Sequence, residues 1–325
     1  MVCRKPKNSL CDSLINGEHY SNPTPNLVSI YNYDDLSRLT SAVNEVGTVN
    51  FTYDNRSRIK TTTDVFNHLV EYNYDAASNR TQLKLDGSIH TTYAYDVANR
   101  LTSLTDEANQ NFTFGYDIAN KLISKTLPNG ISSTYNYDGM SRLTRLKHQT
   151  SSATLTDNQY AYNTANQINQ IAELTNTKNF GYDNIDRLTS MNNGTANENY
   201  AFDGVGNRTS SHLSNTYAYQ PFNRVTSTQT ANLVYDSNGN MVLKAEGGKF
   251  WRYSWDYENR LSLASSRKQT VRYRYDALGR RVQRHFTRGG AGENTKFIYD
   301  GLDVVADDNG GVLTEFVSNV VEMNL

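Results

Sequence analysis

The sequence predicts an all-β protein made of tandem β-hairpins, on three observations. A short aromatic motif recurs along nearly the whole chain. Within each copy aromatics alternate with polar residues, the period of a strand with one buried face. After each aromatic pair come small, polar and αL-tolerant residues, the types that tight turns require.

The motif is aromatic–x–aromatic–Asp, three or four turn residues, then a basic residue, an apolar residue or Thr, and Thr or Ser. YNYDDLSRLT begins at Tyr31, YAYDVANRLT at Tyr93, YNYDGMSRLT at Tyr135 and YRYDALGRRV at Tyr273. The second aromatics are Tyr33, Tyr53, Tyr74, Tyr95, Tyr116, Tyr137, Tyr162, Tyr182, Phe202, Tyr219, Tyr235, Trp255, Tyr275 and Tyr299. Most spacings are 20 or 21 residues, too short for the common helical repeats and without a leucine-rich pattern. The acid and base following the aromatic are Asp34 and Arg38, Asp54 and Arg58, Asp75 and Arg80, and Asp96 and Arg100. They continue with Asp117, then Asp138 and Arg142, Asp183 and Arg187, Asp256 and Arg260, and Asp276 and Arg280.

Phe112, Phe114 and Tyr116 share one face of an extended segment, as do Trp251, Tyr253 and Trp255. A returning strand such as Leu101 to Leu104 follows each turn. Its two leucines are three apart, as are Leu143 and Leu146, which strict alternation puts on opposite faces. A β-bulge or burial of both faces would reconcile this. The copies at Tyr74 and Phe202 read as carrying one extra turn residue before the base.

Each residue type has a physical reason. A carboxylate entering a turn accepts backbone N–H bonds two residues on. The arginine opening the next strand can pair with that carboxylate and cover a tyrosine ring. Tyrosine buries a large ring while its hydroxyl still finds a partner. Against this structural reading stands a functional one, in which Trp251, Tyr253 and Trp255 form a glycan-stacking platform.

Composition narrows the function classes. The formal net charge is −1, without the basic excess of a nucleic-acid binder. No apolar run reaches membrane-spanning length, and no signal-peptide core is visible. Cys3 and Cys11 are the two cysteines, so no disulfide framework is expected. One aspartate per turn is too few for a calcium loop. The six histidines are scattered, and no metalloprotease, nucleophile-elbow or phosphate-loop motif occurs. No catalytic residue, cofactor or metal is expected. With 23 tyrosines and a mean hydropathy of −0.68, the chain is polar yet too aromatic for disorder.

From Tyr31 to Thr314 the motif resembles the YD repeats of bacterial Rhs proteins, Tc toxin C components and the teneurin shell. That resemblance implies hairpins wound into a curved, spiralling sheet, an open barrel or partial shell, enclosing a toxin or forming a cell-surface scaffold. It implies three regions: an irregular cap at 1–30, the array at 31–314 and a tail at 315–325. No Asp-Pro motif occurs, so the family's self-cleaving core cannot be carried over to any residue, and the chain reads as a fragment lacking that core and its toxin. Implied partners are further shell segments, or a core and toxin encoded elsewhere. A surface glycan is the alternative partner, and an uncovered sheet edge would favour self-association. The resemblance implies a bacterial secreted or surface protein.

Overall fold

The computed structural model describes residues 29–316; most of the predicted cap and of the predicted tail, Cys3 and Cys11 lie outside the described residues. Among the described residues all regular structure is β, with thirty strands from Ile30–Tyr33 to Leu313–Glu315. No helix here is long and apolar enough to cross a membrane. The recorded ladders join chain neighbours in antiparallel register, as in Ile30–Tyr33 with Leu39–Val43 and Ser88–Tyr95 with Leu101–Asp106.

The chain divides into two compact units. Unit 1 holds residues 29–71, 272–285 and 293–316, and unit 2 holds 72–271 and 286–292. In both, successive strands meet at two kinds of turn. Motif turns follow the Tyr-Asp pair; return turns lie at the opposite ends of the hairpins.

The motif turn is a three-residue loop closed by the acid and the residue four positions later. At Asp34, its own N–H donates to the Arg38 carbonyl (3.0 Å) and the Ser37 N–H donates back to the Asp34 carbonyl (2.9 Å). Ser37 has φ 60°, and Asn99, Asn120, Ser141, Asn166, Asp186 and Asn259 repeat that left-handed conformation. A type I turn followed by an αL residue is a common three-residue hairpin loop, and it brings a bulge. Tyr95 faces Leu101 and Ala94 faces Ser103, leaving Thr102 without a partner; Tyr93 then faces Leu104. The bulge therefore returns Leu101 and Leu104 to one face, and both are buried. Tyr137 with Leu143 and Tyr135 with Leu146 repeat the arrangement. Of the two readings left open by the leucine spacing, the bulge is the one observed.

The expected extra turn residue at Asp75 and at Phe202 is not there. Asp75 closes on Asn79 and Asp203 closes on Asn207, the same length as the turns at Asp34 and Asp96; the copy at Asp300 is shorter, pairing with Asp303 across two residues. Asparagine takes the fourth position, and its side-chain amide donates to the carboxylate in place of a guanidinium. Arg80 is thus not the turn partner of Asp75. It opens the next strand, with its guanidinium 4.8 Å from the centre of the Tyr93 ring.

Burial is uneven. In unit 2 it concentrates between Leu83 and Leu122, with Leu83, Leu85, Tyr93, Leu101, Leu104 and Phe114 buried. From 123 to 230 the buried residues are Ser133, Ser211 and Ser214. In unit 1 the core is Ala42, Val49 and Val70 with Val282, Ile298, Val305 and Ala306. Unit 1 also joins distant parts of the chain. Tyr31 Oη donates to the Ala277 carbonyl (2.6 Å) and Asn44 Nδ2 to the Tyr275 carbonyl (2.8 Å). Neighbouring return turns pack closely there: a Cβ on Gly47 would come 2.9 Å from that of Val65, so the position needs glycine.

Candidate functional site

The repeated chemistry lies in the motif turns. At Asp96, Oδ1 accepts the N–H groups of Ala98 (2.8 Å) and Arg100 (3.0 Å), and Oδ2 accepts Arg100 Nε (2.7 Å) and pairs with its Nη2 (2.7 Å). The carboxylate thereby satisfies two turn donors and a planar guanidinium at once. Asp34, Asp138 and Asp276 make the same set with Arg38, Arg142 and Arg280, and Asp183 and Asp256 accept the two turn N–H groups and the Nε of Arg187 and Arg260. Asp54 does so with Arg58. Asp117 keeps the backbone bonds, and Lys121 stands 3.8 Å away.

Many turns are also tied to the next. Arg38 Nη1 donates to Ser57, Arg100 Nη1 to Asn120 and Arg142 Nη1 to Asn166. Amides make the same link from Asn79 to Asn99, Gln167 to Asp186, Asn207 to Asn223 and Asn240 to Asn259. The acceptor is in each case the αL residue of the following turn. That explains why Ser, Asn and Asp hold most of these positions: glycine tolerates αL equally well but brings no acceptor.

A second link runs through the rings. Tyr53 Oη donates to the Leu39 carbonyl, Tyr95 to Arg80, Tyr137 to Leu122, Tyr162 to Leu143 and Tyr182 to Ile168, at 2.7 to 3.0 Å. Each acceptor is the first strand residue after the preceding motif turn. At Trp255 the indole N–H replaces the hydroxyl and reaches the Met241 carbonyl (2.8 Å). Guanidinium groups cover the rings of the following repeat: Arg38 lies 4.6 Å from the Tyr53 centroid, Arg100 5.1 Å from Tyr116 and Arg142 4.4 Å from Tyr162. Replacing Tyr137 with Phe is expected to cost about 1 kcal/mol in urea denaturation, the net value of one such bond.

The electrostatics follow. Arg38's guanidinium holds the Asp34 carboxyl below its ordinary 3.8. Backbone N–H groups of Arg100, Arg142 and Arg187 do the same first at Asp96, Asp138 and Asp183, helped by the guanidinium groups. Burial pushes the Tyr95, Tyr137 and Tyr299 hydroxyls above their ordinary 10.0. A depressed carboxyl contributes stability that is present above its unfolded pKa and lost as pH falls through the folded one. A raised phenol contributes stability that is present below its unfolded pKa and lost as pH rises through the folded one. Melting temperature should therefore be flat from about pH 5 to 8, falling on acidification below 3.8 and on alkalinisation above 10.0.

Trp251, Tyr253 and Trp255 lie half-buried on one strand face, Trp251 opposite Lys244 and Tyr253 opposite Ala264. Tyr33 is exposed, and Tyr116, Tyr182 and Tyr275 are half-buried. Two open recesses lie elsewhere, between return turns, and no aromatic lines either. Ser133 Oγ lies 2.7 Å from His148 Nδ1, but the two are cross-strand partners and Ser133 is buried. The turn-to-turn links were not read from the sequence, although a Ser, Asn or Asp third after the motif's acid was their signal.

The crystal structure of TcdB2-TccC3 resembles this fold with a TM-score of 0.57 at 14% identity, over 87% of this chain and 20% of that one. The tRNA nuclease WapA of Bacillus subtilis (strain 168) is 30% identical over 112 residues, 31% of this chain and 4% of that protein. Double-stranded DNA deaminase toxin A of Burkholderia cenocepacia (strain H111) is 28% identical over 162 residues, 46% of this chain and 11% of that protein. The chain thus spans a small part of each. The model of the teneurin YD-shell family matches residues 19–126 and 125–304. With both matches together covering most of its length, and a repeated hairpin fold like that of a solved toxin complex, the chain belongs to the teneurin YD-shell family.

Proposed function

We propose that the chain is a segment of wall that helps to enclose a polymorphic toxin, with further shell segments, or a core and toxin, supplied from elsewhere. One observation carries this reading: the side-chain chemistry of the motif turns goes into joining each hairpin to the next. The Asp and Arg residues of the motif are held by turn N–H groups, by each other and by the neighbouring repeat, as at Asp96 and Arg100. Family membership agrees with a structural role.

Small-angle scattering of the full chain at low concentration tests it. A compact 325-residue chain has a radius of gyration of about 20 Å; a wall segment should exceed that. A value near 20 Å, with glycan-array binding abolished by Trp251→Ala and Trp255→Ala, would replace the wall by a surface-binding adhesin.

A further inference from the structure

We propose that the row of motif turns in unit 2 docks on the return turns of a second copy of this chain, its apolar tips entering the recesses between those turns. The inference rests on the reading of the chain as a wall segment.

The first observation is the tips themselves. Val97, Ile118, Met140, Ile185, Val205 and Phe222 occupy the first or second loop position of six motif turns, and all are exposed, Val97 and Ile118 by 106% and 105%. Single exposed apolar residues need no explanation. These recur at the tips of motif turns, and most neighbouring turns are bonded together, as at Arg100–Asn120, Arg142–Asn166, Gln167–Asp186 and Asn207–Asn223. They therefore form a strip, successive turns about 9.6 Å apart, two strand spacings, interrupted once at the Thr164-Ala165-Asn166 turn between Met140 and Ile185. Among the loop positions of these six tips the one charged residue is Asp186, whose carboxylate accepts the Gln167 amide of the preceding turn. Such strips mark contact surfaces.

Unit 1 shows what covers such a tip. Ala277 holds the position of Val97 and is 4% exposed, because the first hairpin lies on it. Asn44, in a return turn, donates to the Tyr275 carbonyl, and Tyr31 donates to that of Ala277. A motif turn thus already packs under the return-turn end of another hairpin within this chain.

Unit 2 also carries the matching surface. One open recess of about 660 Å³ lies between the return turns at Glu173–Thr177 and Asn192–Gly194, and another of about 430 Å³ lies between Gly130 and Gln149–Thr154. Both separate neighbouring return turns, so tips and recesses share one repeat. A second copy matches that period along its whole length; an unrelated partner would match it by coincidence. Six tips offer on the order of 600 Å² per partner, close to the ~800 Å² of a standard interface before flanking polar residues are counted. Tips on one edge and recesses on the other make the contact heterologous, so copies add head to tail.

Sedimentation velocity on the full chain, up to about 100 μM where a micromolar interface is saturated, tests this. The mass should rise from 36.7 kDa to at least twice that, with little dependence on salt. A tip variant (Val97→Asn, Ile118→Asn, Met140→Asn and Ile185→Asn) should stay monomeric, with melting temperature and circular dichroism unchanged. A recess variant (Leu174→Glu and Ser151→Glu) should stay monomeric too. Mixed, the two should give a 1:1 dimer and nothing larger, since one retains recesses and the other retains tips. A monomeric wild type, a tip variant that still associates, or no dimer on mixing would overturn the proposal. A monomer with a radius of gyration above 20 Å would leave the wall reading standing, and a compact monomer would remove both.

Discussion

Replacing Asp276 with Ala should destabilise unit 1 by about 3–5 kcal/mol, the cost of leaving one half of a buried ion pair without its partner. The Asp276 side chain is 0% exposed and that of Arg280 5%, against 21% and 27% for Asp96 and Arg100 with the same bonding. Asp276 accepts the N–H groups of Leu278 and Arg280, and Arg280 Nε at 2.8 Å. Arg280 also donates Nη1 to the Gly301 carbonyl (2.9 Å) and lies 5.0 Å from the Tyr299 ring centre. Removing the carboxylate strands two turn N–H groups and a guanidinium away from water. Asp96→Ala should cost only a fraction as much, because solvent reaches the groups it exposes. Replacing Arg280 by Met together with Asp276→Ala should recover part of the loss but not all, as the two N–H groups still lack an acceptor. Urea denaturation of the four chains reads this directly. Equal losses at Asp276 and Asp96 would mean that the Tyr31 and Asn44 contacts do not close off this turn.

That contrast also shows what the sequence could convey. Asp276 and Asp96 sit in nearly the same words, YRYDALGR and YAYDVANR, and local chemistry makes the same turn of both. Strand alternation, turn residues and the Asp–Arg partnership are short-range, so one copy suffices to read them and repetition confirms them. The register was legible up to an ambiguity: the spacing of Leu101 and Leu104 announced a fault in alternation, and the αL residue at Asn99 was the clue to a bulge. At Asp75 the arginine drew attention away from Asn79, whose amide makes the same contact with the carboxylate. Which copy is covered was not legible. It depends on Tyr31 meeting Ala277, 246 residues later, and no local pattern encodes where one hairpin lands on another. The turn-to-turn bonds escaped for a smaller reason, since αL preference alone accounts for Ser and Asn and hides their second use.

Leu83→Ala should cost about 2–5 kcal/mol, the loss for a leucine whose site cannot fully collapse. Leu83 is 0% exposed and faces Thr91, beside a bulge that turns His90 inward, where its Nδ1 lies 2.7 Å from the Thr91 hydroxyl. Thr91 and His90 are themselves buried, so little can move to fill the gap. Leu146→Ala, at a half-buried position opposite Tyr135, should cost less. Where the damage appears is the sharper test. Repeats that interact chiefly with neighbours share stability along an array, yet in unit 2 burial is concentrated from Leu83 to Leu122 and thin from 123 to 230. Hydrogen exchange should accordingly find the wild-type strands between Thr154 and Thr228 opening first. In Leu83→Ala, protection should fall across Arg80–Leu85, Ser88–Tyr95 and Leu101–Asp106 and stay unchanged at Arg224–Thr228. Uniform loss along the chain would show instead that unit 2 unfolds as one cooperative block, with the turn-to-turn bonds, rather than local burial, setting its stability.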